Sequence, residues 1–76
     1  MTYEKFIKDE RGQIRIVVTL VVLNFGMKDI DGHEYRWDVN VWHTPKGKRT
    51  EKGNDSIATP AEIWEAKTRL WQQIKP

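Results

Sequence analysis

The chain has 76 residues, no cysteine and a formal net charge of +2, with acids and bases intermixed along it. That length builds one domain, residues 1–76, around one modest core, and the lack of cysteine excludes a disulfide framework, a thiolate metal site and a cysteine nucleophile. So slight a positive surplus is not the clustered basic stripe of a dedicated phosphate binder, whereas four tryptophans in so short a chain are unusual and point to either core or interface.

The first residues, Met1-Thr-Tyr-Glu-Lys-Phe, lack the basic and then apolar regions of an export signal. The run Val17–Phe25 is about half of the ~20 residues needed to span a bilayer, and it carries Thr19 and Asn24. The expectation is a soluble, cytoplasmic protein that makes no use of a membrane. Tyr3–Lys8 alternates like an edge strand, and Asp9-Glu10-Arg11-Gly12 has turn chemistry, with glycine available for a positive φ. A hairpin through that turn sets Ile7 opposite Ile14 and Tyr3 opposite Val18. It sends Tyr3 and Ile7 to one face and Phe6 to the other.

Gln13–Phe25 is the most β-branched and aliphatic stretch of the chain and reads as the central strand. Ile14, Ile16, Val18, Leu20 and Val22 fall on one side of it and Val17, Val21, Leu23 and Phe25 on the other, so both faces call for cover. Asp31-Gly32 favours a two-residue hairpin turn, which would pair Lys28 with Tyr35, Val22 with Val41 and Leu20 with His43. Tyr35, Trp37, Val39 and Val41 then join the Ile14–Val22 face. Asn24-Phe25-Gly26 is a candidate bulge. The third strand ends at Thr44-Pro45, and the polar stretch Lys46–Ser56 is long for a connection, with room for a short fourth strand around Arg49.

Thr59-Pro60-Ala61-Glu62 is a helix start: threonine as N-cap, proline at the first helical position and glutamate where a capping box needs an acid. At 100° per residue Ile63, Ala66, Leu70 and Ile74 share an arc opposed by Glu65, Arg69 and Gln72. Trp64 and Trp71 line one margin, read first as closing the core edge over Tyr35 or Trp37 and alternatively as an extension of an interface. Lys67 lies within the apolar arc and is expected to snorkel. The fold class is therefore α+β, a three-stranded antiparallel meander, with the short fourth strand as an extra, packed against one C-terminal helix.

One helix covers one face of such a sheet. The other face displays Arg15, Val17, Thr19, Val21, Leu23 and Phe25 with Arg36, Asp38, Asn40, Trp42 and Phe6, an apolar centre with a charged rim, and contiguous patches of this kind mark binding sites. The sequence thus points to a non-enzymatic protein-binding module, an accessory or inhibitory factor. It would use Val17, Val21, Leu23, Phe25, Arg36, Asn40 and Trp42 against another protein or a second copy of itself. An intramolecular lid is the plainer reading, weakened because Lys46–Asp55 holds no large apolar residue to plug the patch. The competing class is nucleic-acid binding, with Arg15, Arg36, Asn40 and Trp42 as readers and Lys46, Lys48, Arg49 and Lys52 on phosphates. Neither an enzyme nor a cofactor nor a metal site is expected. Asp29–Glu34 lacks the spacing of a calcium loop, and His33 and His43 on one extended strand would stand ~33 Å apart.

Overall fold

A computed structural model describes residues 1–22, 35–53 and 57–74. Four strands, β1 (Thr2–Asp9), β2 (Gly12–Val22), β3 (Tyr35–Thr44) and β4 (Glu51–Gly53), are followed by one helix, α1 (Pro60–Ile74). The strands form one antiparallel sheet in the order β1-β2-β3-β4, with α1 packed on one face over β1 and β2. The expected α+β architecture is present, and the fourth strand is real but short.

The first hairpin has the expected register, with Tyr3 opposite Val18 and Ile7 opposite Ile14. Gly12 takes φ +100°, and a Cβ there would come within 2.3 Å of the Thr44 carbonyl oxygen, so backbone conformation and close approach both demand glycine. Among the described residues no other amino acid type adopts a positive φ.

The second pairing corrects the sequence reading. Val41 stands opposite Ile16 rather than Val22, a shift of six residues along β2, and Val22 and Leu20 pair with Tyr35 and Trp37. The expected register would have set Ile14 and Ile16 opposite Arg49 and Gly47, with no apolar partner. In the observed one they face His43 and Val41, level with the helix. Burying that core is the physical reason for the observed pairing. Because six is even, each side chain keeps its face. The turn at Asp31-Gly32 and the bulge at Gly26 lie outside the described residues.

The core lies between α1 and the sheet. Ile14, Ile16, Val18 and Ala66 have no solvent exposure, and Leu20, Val41, Ala58 and Leu70 are buried beside them. Each large apolar side chain removed from water in this way contributes roughly 1.5–3 kcal/mol. Tyr3, Ile7, Tyr35, Trp37, Val39, Ile57, Ile63 and Ile74 pack around the margin. The helix begins as its sequence demands: the Thr59 backbone N–H donates to Glu62 Oε1 at 2.8 Å, and the Glu62 N–H donates to Thr59 Oγ1 at 3.1 Å, a reciprocal capping box.

Candidate functional site

Strand parity builds the helix-free face. Residues opposite one another across the sheet share a side, and the pairings line up Phe6, Arg15, Trp42 and Lys52 in one row across all four strands. The next row toward the start of β3 holds Glu4, Val17 and Asn40, then Thr2, Thr19 and Asp38, then Val21 and Arg36. Sequence reasoning therefore placed Arg15, Val17, Val21, Arg36, Asn40, Trp42 and Phe6 on one face correctly. Leu23 and Phe25 lie outside the described residues.

The face differs in character from a bare apolar patch. Phe6 is 59% exposed, while Val17, Val21 and Trp42 are half-buried among longer polar neighbours. Arg15 Nη2 donates to Glu4 Oε1 at 2.7 Å, holding that carboxyl below the usual carboxylate range, and Arg36 Nε reaches Asp38 Oδ1 at 3.1 Å. The acids of the face are thus matched by its own arginines. Thr2 and Thr19 hydroxyls meet at 3.3 Å, and Thr44 and Thr50 hydroxyls at 2.6 Å. Beside the aromatic row, Gln13, Arg15, Trp42, Thr44 and Thr50 line an open hollow of about 370 Å³. Gln13, Thr44 and Thr50 were missed by sequence reasoning, which weighed apolar and charged residues. For Gln13 and Thr44 the strand parity that placed Arg15 and Trp42 was a sufficient signal.

The basic residues separate into two places. Lys52 sits on the face beside Trp42, whereas Lys46 and Lys48 lie in the turn after β3, around a second hollow that also includes Lys8 and Gln13. That turn is closed by the Lys48 N–H donating to the Pro45 carbonyl at 3.0 Å, and Arg49 is exposed between it and β4.

On the opposite side of the sheet Arg11, read in the sequence only as a turn residue, joins three segments. Its guanidinium makes bidentate contacts with Asp9 in the same turn (Nη2 to Oδ2, 2.6 Å) and with Glu62 at the helix start (Nη2 to Oε2, 2.7 Å; Nη1 to Oε1, 2.9 Å). It also donates to the Ile57 carbonyl at 3.1 Å. The Arg11 contacts pull the Glu62 carboxyl down to about 2, Asp9 also titrates below its ordinary value, and the two carboxylates raise the arginine in return. His43 Nε2–H donates to the Arg11 carbonyl at 2.7 Å, so the imidazole locks the strand end to this turn. These groups are spent on one another, and the cluster is structural.

The helix margin splits the two tryptophans. Trp71 meets Tyr35 edge-on, with ring centroids 6.1 Å apart, so the expected contact is made, while the side chain stays 41% exposed at the edge rather than closing the core. Trp64 is 71% exposed and closes no core, which corrects that reading for this residue: α1 packs chiefly over β1 and β2, and most of the Trp64 ring projects from its margin into solvent. The Lys67 ammonium lies 5.8 Å from the Trp37 ring centroid, and Trp37, Trp64, Lys67, Thr68 and Trp71 surround a hollow of about 310 Å³.

No protein-family model matches the chain, and neither a curated protein nor a solved structure is significantly similar to it. Among the described residues, no helix is long and apolar enough to cross a membrane.

Proposed function

We propose that this chain is a non-enzymatic protein-binding module, an accessory or inhibitory factor that engages another protein through the helix-free face of its sheet. The observation that carries this reading is Phe6, a large apolar side chain left 59% exposed on a face that no described element covers, in one row with Arg15 and Trp42. Partner chemistry follows from the frame. Glu4 and Asp38 are already matched by arginines, while Lys8 and Lys52 near the row make no ion pair with a carboxylate among the described residues, so the complementary surface presents an apolar anchor ringed by carboxylates.

A second reading draws on the same row, in which aromatic and cationic residues alternate as Phe6, Arg15, Trp42 and Lys52. Stacking platforms for single-stranded nucleic acid have this composition, and Lys46 and Lys48 at the sheet end would follow the phosphates. One set of measurements separates the two. Immobilised chain is challenged with nuclease-treated host extract, and a labelled single-stranded oligonucleotide is titrated in parallel at low and high salt. Protein binding requires that a discrete partner be retained after nuclease, lost with Phe6→Asp and Val17→Asp, and kept with Arg69→Glu on the outer helix face. Folded Phe6→Asp and Val17→Asp variants that retain the partner refute it. Oligonucleotide binding that weakens steeply with salt and with Trp42→Ala establishes the second reading instead.

A further inference from the structure

The free edge of β1 invites a second copy. β1 pairs residue for residue with β2 over its eight residues, with no proline, glycine or bulge to blunt it, and no described residue lies on its other side as a strand. The Leu20 N–H donates to the Met1 carbonyl at 2.9 Å, which sets the alternation. Odd-numbered residues of β1 bond to β2, and Thr2, Glu4, Phe6 and Lys8 turn their N–H and C=O groups outward. Natural edges often prevent pairing with a charge that points to the core side. Here that charge is Lys5, and Glu65 of α1 neutralises it at 2.9 Å.

We infer that two chains associate through β1 in antiparallel fashion about a two-fold axis at Phe6, giving a continuous eight-stranded sheet. The register follows from hydrogen bonding and charge. Outward-facing groups bond only to outward-facing groups, so Glu4, Phe6 and Lys8 must meet even-numbered residues of the second copy, and both helices come to lie on the same side. Centred on Phe6, the pairing sets Glu4 opposite Lys8 of the second copy twice over and Phe6 against its own counterpart on the helix-free face. Centring on Lys5 or Glu4 places like charges opposite each other, and centring on Ile7 leaves Phe6 and Lys8 as the only outward-bonding residues paired within the strand and opposes Lys5 to Asp9, which Glu65 and Arg11 already engage. Because α1 lies over β1 and β2, the two helix axes would stand about two strand spacings apart, ~10 Å, which is the separation of packed helices. The edge pairing is carried by the backbone groups of β1; it takes up Phe6 and Lys8 and leaves Val17, Asn40 and Trp42 of the helix-free face open.

The test is the association state by light scattering across a concentration series. The native chain should dimerise, and Glu4→Lys or Lys8→Glu alone, each creating two like-charged pairs, should weaken the dimer by about tenfold or more. The double variant carrying both exchanges should recover it. The Arg15–Glu4 ion pair stays broken in the double variant, so recovery does not come from restoring that contact. The chain has no cysteine, so Phe6→Cys supplies a single thiol, and two hydrogen-bonded strand partners with Cα atoms ~5.5 Å apart lie within disulfide reach. Phe6→Cys should oxidise to a covalent dimer and Thr2→Cys should not. A native chain that stays monomeric at every concentration overturns the inference. So does a double exchange that fails to restore association, or a dimer indifferent to both exchanges and abolished by Val17→Asp.

Discussion

Replacing Glu62 with glutamine tests the clamp that joins the first turn to the helix. Glutamine keeps a side-chain oxygen for the Thr59 N–H, as capping boxes allow, but removes the charge held by Arg11. A carboxyl drawn from 4.5 to about 2 corresponds to an upper bound of about 3.4 kcal/mol. A fifth of the Glu62 side chain reaches solvent, and screening there reduces the expected loss to about 1–2 kcal/mol. The sign is set by the direction of the pKa. Glu62 is held below its unfolded value, so its contribution is complete above pH 4.5 and is lost as the pH falls toward about 2. Urea unfolding followed by tryptophan fluorescence at pH 7 and at steps down to pH 2 measures both effects. Other carboxylates titrate in the same range, and the difference between native chain and Glu62→Gln isolates this one. A variant as stable as the native chain at pH 7, or a difference that does not shrink between pH 4.5 and 2, would refute the clamp.

The remaining predictions concern packing and are read from the same unfolding curves. Gly12→Ala meets both the Thr44 carbonyl at 2.3 Å and a left-handed backbone, so a loss of roughly 2–4 kcal/mol is expected. Leu70→Ala, emptying a position 1% exposed, should cost about 2–5 kcal/mol. Trp64→Ala, by contrast, should leave stability within about 0.5 kcal/mol of the native chain, since most of that ring is already in water. A loss above 2 kcal/mol there would mean that Trp64 is covered in solution.

Two parts of the molecule were legible because their signals are local. The capping box needs only Thr59 and Glu62 at the right spacing, and the first hairpin needs only a four-residue turn ending in Gly12. Arg11 was not legible in this way. A single arginine in a turn carries no mark of a carboxylate that stands 51 positions later and arrives only when the helix docks. Ile57 and Ala58 were overlooked for a similar reason: between a polar stretch and a helix cap they show no periodicity, yet the chain must cross the core end there, and Ala58 is buried.

Alternation at a period of two assigned Tyr3, Phe6 and Ile7 of β1 and the alternating residues of β2 and β3 to their faces from the sequence alone, and the 3.6-residue period put Ala66 and Leu70 against the sheet. Those properties belong to the chain locally and survive any even slip between strands. Which even slip is adopted, and so which side chains of β3 stand beside Arg15 and Val17, was decided only when β2, β3 and α1 packed together. Hydrogen bonding between strands is nearly indifferent to such a slip, whereas the apolar area shared with the helix is not. For the same reason Trp64 is exposed: where α1 rests across the sheet depends on how all the elements fill the core, and no periodicity within the helix states it.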